Sequence, residues 1–94
     1  MIILSLRTAY SEMVQVKSKI TDVSTLSNYL KVDRLDPRTG KIEEIKINVH
    51  RSTHFEGFRS LRDLSIGDEI SVEADYNAYT HEWKARAIGP YNQK

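Results

Sequence analysis

The sequence predicts an all-β domain, a closed or nearly closed five-stranded barrel, and three observations predict it. From Val14 onward apolar and polar residues alternate with the period of two of a half-buried strand. Asp36-Pro37-Arg38-Thr39-Gly40 stands between two such segments as a hairpin turn, with Asp to accept a backbone hydrogen bond, Pro to preset φ and Gly to supply the left-handed residue. No stretch carries helical periodicity for more than about one turn.

In the first strand Val14, Val16 and Ile20 share one face, with Gln15, Lys17 and Lys19 on the other. The second covers residues 28–35, with Leu30 and Val32 inward and Tyr29, Lys31 and Asp33 outward. The third runs over residues 41–50, where Ile45, Ile47 and Val49 agree in phase but Ile42 does not. That mismatch predicts a bulge at Glu43-Glu44, which would bend the strand as a small barrel requires.

Alternation stops between 51 and 67. There Ser60-Leu61-Arg62-Asp63-Leu64 reads as one helical turn, with Ser60 as N-cap and Asp63 in the capping-box position. Leu61, Leu64 and Ile66 are expected to face inward and close one end, and residues 66–69 form a tight turn. A fourth strand over 69–76 puts Ile70, Val72, Ala74 and Tyr76 on one face. After a polar loop at 77–81, the last strand over 82–88 sets Trp83, Ala85 and Ala87 together, and Gly89-Pro90 ends it. The expected organisation is an N-terminal extension or edge strand at 1–12, the barrel at 13–89 and a loose tail at 90–94.

Composition narrows the function classes. Fourteen Lys and Arg against thirteen Asp and Glu leave a net charge of +1, which supplies no global field for nucleic acid or an anionic membrane. With no cysteine there is no disulfide, thiolate metal site or cysteine nucleophile, and the compartment stays open between cytoplasmic and exported. The apolar run at residues 1–6 is shorter than the roughly 7–15 residues a signal peptide needs. It reads as an N-terminal strand or frayed end, with the edge of a processed leader as the alternative.

From Val14 to Ile88 the chain resembles a widespread set of small bacterial OB-like domains of unknown function, often found in exported proteins. The matching pieces are a V-x-x-x-I-x-x-V opening at Val16, Ile20 and Val23, then YLKV, TGK, STHFEG, SLRDLSIGDEISVEADY and the closing WKARAI. The resemblance implies an OB-like barrel whose usual helix between strands three and four has shrunk to the Ser60 turn. It brings no catalytic or binding residues with it.

The outer face of the first three strands offers Lys17, Lys19, Tyr29, Lys31, Lys46 and His50, cations with one aromatic where OB barrels bind single strands. Glu43, Glu44, Glu69, Glu73 and Asp75 dilute that charge. The loop at 77–81 adds Tyr79 and His81, in a position OB domains use to grip ligands. Tyr76 and Trp83 read as core, and Phe55 and Phe58 as a plug with Leu61. His50 and His54 lie at a strand end and in a loop, where a four-residue spacing carries no metal-ligand meaning, so no metal or cofactor is expected. Ser52, His54 and Glu56 would splay along an extended backbone, and no catalytic constellation is expected. The expectation is a non-catalytic module that recognises a protein or other ligand through its barrel surface and loops. The alternative is single-stranded nucleic-acid binding through the basic face. A third class is a structural barrel, monomeric or weakly self-associating.

Overall fold

A computed structural model describes residues 11–91. The apolar run at 1–6, most of the expected extension and most of the expected tail lie outside the described residues. The strands are β1 (Ser11–Ser24), β2 (Tyr29–Leu35), β3 (Ile42–Asn48), the two-residue β4 (His54–Phe55), β5 (Glu69–Asn77) and β6 (Glu82–Pro90). A single 3-10 turn, Leu61–Asp63, lies between β4 and β5.

Five of these strands form a ring. The sheet runs β3-β2-β1-β5-β6, and β3 also pairs with β6 and closes it. Closure is parallel and brief, with Ile47 opposite Trp83 and Asn48 opposite Lys84. Every other neighbouring pair in the ring is antiparallel. This is the expected OB-like barrel, and β4 sits beside it on β6.

β1 serves two neighbours in turn. Residues 11–19 pair with β5, and from Ile20 the strand pairs with β2. The register slips between Ile20 and Asp22, so Thr21 is the extra residue of a bulge. The tight turn before β5 clamps the same point. The Ile20 N–H donates to the Asp68 carbonyl at 2.9 Å, and the Gly67 N–H donates to the Ile20 carbonyl at 2.8 Å. Gly67 reaches that position with φ +96, which glycine adopts without steric cost. The Gly-Asp pair of the sequence motif is therefore a turn that extends the β1–β5 ladder.

A second bulge lies in β6. Ala87 faces Glu73 and Ala85 faces Ala74, which leaves Arg86 over. These two bulges bend the sheet where the sequence had placed one at Glu43-Glu44. β3 pairs with β2 without a slip from Ile42–Leu35 to Asn48–Tyr29. Ile42 is out of phase because it lies on the outer face, 71% exposed, across from Leu35. The β6 bulge also corrects the last strand, since it flips the phase and puts Ile88 rather than Ala87 in the core.

The barrel interior is filled by Ile20, Leu30, Val32, Ile47, Ile70, Val72 and Ile88, all essentially without solvent contact. Burial of each such side chain stabilises the fold by roughly 1.5–3 kcal/mol. Leu61 and Leu64 close one end, with Phe55 and Phe58 packed against the core. The 3-10 turn that delivers them is capped as expected at Ser60, whose hydroxyl accepts from the Arg62 N–H. The Asp63 carboxylate reaches one residue beyond the capping-box position, to the Arg59 N–H at 2.8 Å. Ile66, expected inward, is 65% exposed, because the turn that clamps β1 carries it past the core.

Candidate functional site

The described residues do not close the other end. Beyond the Ile47–Trp83 pair β3 and β6 part company, so residues 42–46 have β2 on one side and, among the described residues, no strand on the other. β2 likewise pairs with β1 only from Tyr29 to Val32. The free halves of β2 and β3 therefore leave the sheet together as a hairpin arm whose tip faces the start of β1 and the β5–β6 turn.

The turn at the arm's tip is locally built. The Asp36 carboxylate accepts from the Arg38 N–H at 2.9 Å, the Asp36 carbonyl accepts from the Gly40 N–H at 2.7 Å, and Gly40 has φ +75. Between arm and sheet lies a cleft of ≈ 720 Å³.

The inward faces of the strands line this cleft. Val14, Tyr76 and Trp83 continue the core face of β1, β5 and β6, and Arg34 and Glu43 continue the core face of β2 and β3. A line of contacts crosses the mouth. Glu43 lies 3.5 Å from the Arg34 guanidinium, which lies 5.2 Å from the Trp83 ring centre. Trp83 and Tyr76 have ring centres 4.7 Å apart at 45°. The Tyr76 hydroxyl is hydrogen-bonded to His81 Nδ1 at 2.7 Å. Trp83 is 8% exposed, so the guanidinium sits on a largely desolvated ring and gains about 1 kcal/mol from it.

His81 itself has φ 61, in the left-handed region, which non-glycine residues occupy at a cost and which clusters at functional sites. It is held there by its N–H, which donates to the Asn77 carbonyl at 2.7 Å. The Asn77 side-chain oxygen accepts from the Tyr79 and Thr80 N–H groups and fixes the rest of the turn.

The residues singled out from sequence are distributed unevenly. His81 lies in the cleft, while Tyr79 stands at the tip of the same turn, 71% exposed. Tyr29, Lys31 and Lys46 do come together on the outer face, with the two ammonium groups 5.9 and 4.7 Å from the Tyr29 ring centre. Lys17 and Lys19 do not join them, because they lie in the half of β1 that pairs with β5, opposite Ser71 and Glu69. His50 follows β3 at the plugged end, where its N–H donates to the Thr53 hydroxyl. His54 lies 3.9 Å from Glu56, and no three metal-ligating side chains are grouped among the described residues.

Sequence reasoning missed Arg34 and Glu43 and read Tyr76 and Trp83 as core alone. The missed signal was parity, since Arg34 follows Leu30 and Val32 at an inward position of β2. An ion placed on the core face of a strand marks an end that water or a ligand reaches.

Fold and site define a small OB-like barrel, sealed at one end and open at the other. No protein-family model matches the sequence, and no curated protein matches it. Among solved structures the chain is similar to Ag(I)-bound CusF, with 6% sequence identity and a TM-score of 0.61 over 82% of this chain and 95% of that one. It is also similar to Ag(I)-bound CusF from Escherichia coli, at 10% identity and a TM-score of 0.58 over 85% of this chain and 92% of that one. Apo-CusF from Escherichia coli aligns at 10% identity and a TM-score of 0.57 over 86% and 89%. At these identities the likeness is one of fold. No helix among the described residues is long and apolar enough to cross a membrane.

Proposed function

We propose that this chain is a non-catalytic binding module that takes a protein segment or other polar ligand in the open mouth of the barrel. The observation that carries the reading is the Arg34–Trp83–Tyr76–His81 line across the cleft. An aromatic floor with a few placed polar groups is what ligand sites use for affinity and orientation. Charge in the cleft is mixed, with Arg34, Arg38 and Lys46 set against Glu12, Asp36, Glu43 and Glu44, which suits a ligand carrying both signs better than a polyanion.

The Ag(I) named with two of the CusF structures finds no thiolate and a single thioether, Met13, among the described residues. A soft monovalent ion selects thiolate and thioether ligands. The chain has no Cys, and of its two Met residues Met13 lies 44% exposed on β1 while Met1 is outside the described residues. The nucleic-acid reading keeps one supporting observation, the Tyr29 ring beside the Lys31 and Lys46 pair. The next pair along the ribbon, Asp33 and Glu44, sets negative charge beside it, so the cleft is preferred.

Trp83 is the only tryptophan and reports on the mouth directly. Titration with a panel of short peptides of varied charge is expected to change its fluorescence saturably for at least one member. Arg34→Gln is expected to weaken that binding by about 10–100-fold, the loss of one hydrogen bond to a charged group. A panel that leaves Trp83 unchanged, or binding indifferent to Arg34→Gln, refutes the mouth as the site.

A further inference from the structure

The outer face of the β2–β3 ribbon carries an arrangement that the contacts of Lys31 and Lys46 with the Tyr29 ring explain only in part. Its side chains lie in four successive cross-strand pairs: Tyr29 with Asn48, Lys31 with Lys46, Asp33 with Glu44, and Leu35 with Ile42. Two of these pairs set like charges directly opposite one another, which is destabilising within a sheet. None of the four ions is in an ion pair among the described residues; Glu44 accepts only a hydrogen bond from the Thr21 hydroxyl. The last pair is aliphatic and open to water, with Leu35 59% and Ile42 71% exposed.

The order of the pairs is self-complementary. From one end of the ribbon it reads aromatic–polar, positive, negative, aliphatic. A second ribbon laid face to face with its strands reversed brings positive onto negative twice and aliphatic onto aromatic–polar twice. One two-fold axis, crossing the strands between the Lys31–Lys46 and Asp33–Glu44 pairs, generates all four contacts. Lys31 then meets Asp33 of the second copy, Lys46 meets Glu44, Tyr29 meets Leu35 and Asn48 meets Ile42. An isologous interface needs this kind of self-complementary patch.

We infer that the outer face of the β2–β3 ribbon is a self-association surface whose partner is a second copy of this chain. The surface shares Lys46 and Glu44 with the rim of the cleft, whose Arg34 and Glu43 come from the inward face of the same hairpin. Four pairs span roughly 20 Å along the strands and about 10 Å across them. That is well below the ~800 Å² per partner of a standard interface, so the dimer is weak, with a dissociation constant of ~0.1–1 mM, and sensitive to salt.

Sedimentation of the wild-type chain at rising concentration tests this without any substitution. The mean mass is expected to rise with concentration at low salt, and to rise much less in ~1 M salt, where charges are screened within about 3 Å. Charge exchange tests the register. The acidic variant Lys31→Glu/Lys46→Glu and the basic variant Asp33→Lys/Glu44→Lys should each stay monomeric alone. Mixed in equal amounts they should associate at least as strongly as the wild type, because each acidic pair then meets a basic one. Trp83 emission and the thermal midpoint check that both variants fold. A wild type that is monomeric at ~1 mM and low salt overturns the inference. So does either variant associating alone, or a mixture that stays monomeric while the wild type dimerises. A wild type that binds a single-stranded oligonucleotide through Lys31 and Lys46 without self-associating would assign the face to an anionic polymer and overturn it as well.

Discussion

At one end of the barrel Leu61 and Leu64, with Phe55 and Phe58 against them, seal the core. At the other, Arg34, Tyr76, His81 and Trp83 surround a cleft that the strands leave open. Inward-facing side chains occupy both ends, leucine and phenylalanine at one and ions and polar aromatics at the other. A barrel this small needs most of its large apolar side chains for stability. An end that gives up sealing for Arg34 and Glu43 is therefore the end where recognition is expected, and the sealed end is where stability resides.

The comparison can be broken most forcefully at the sealed end. Leu64→Ala removes a side chain that is 4% exposed, and should lower unfolding free energy by about 2–4 kcal/mol while leaving ligand binding intact. Chemical denaturation followed by Trp83 fluorescence measures it. A loss of binding in the folded Leu64→Ala variant would show that the two ends are not separable.

A smaller loss is expected from Thr53→Val. The Thr53 hydroxyl donates to the Ala85 carbonyl at 2.8 Å and accepts from the His50 N–H at 2.9 Å. Valine keeps the shape but strands both backbone groups, for about 1–3 kcal/mol by the same denaturation assay. Gly67→Ala tests the clamp on β1. A Cβ there meets nothing within 4 Å, so the cost is the left-handed backbone alone, about 1–2 kcal/mol in denaturant titration.

The open end should behave in the opposite sense. Arg34→Leu completes the apolar face of β2 against Trp83 and is predicted to stabilise the chain by about 0.5–1 kcal/mol while abolishing binding. Thermal unfolding beside the peptide titration decides it. A destabilised Arg34→Leu variant would mean that the guanidinium is structural, and the contrast between the ends would fail.

Much of the barrel was legible because local patterns carry it. Alternation gave the long strands, and Asp36-Pro37 with Gly40 gave the hairpin. Bulges were harder. Phase changes from Ile20 to Val23 and from Ala85 to Ile88 marked the real ones, and both joined residues of the buried face. Ile42 gave a false signal because the arm extends past the core, where an apolar residue can sit outward. The cleft was the least legible feature. His81 was picked out from its loop, but Arg34 meets Trp83 only through the closure of β3 on β6, a contact between strands distant in sequence that no local pattern encodes.

The claim that the mouth is the recognition surface is tested most directly by mapping amide shifts on the isotope-labelled chain during titration with the peptide panel. The account predicts shifts concentrated at Arg34, Tyr76, His81 and Trp83, and their disappearance in Arg34→Leu. Shifts gathered instead around Val49, Phe55 and Leu61 at the sealed end would contradict it.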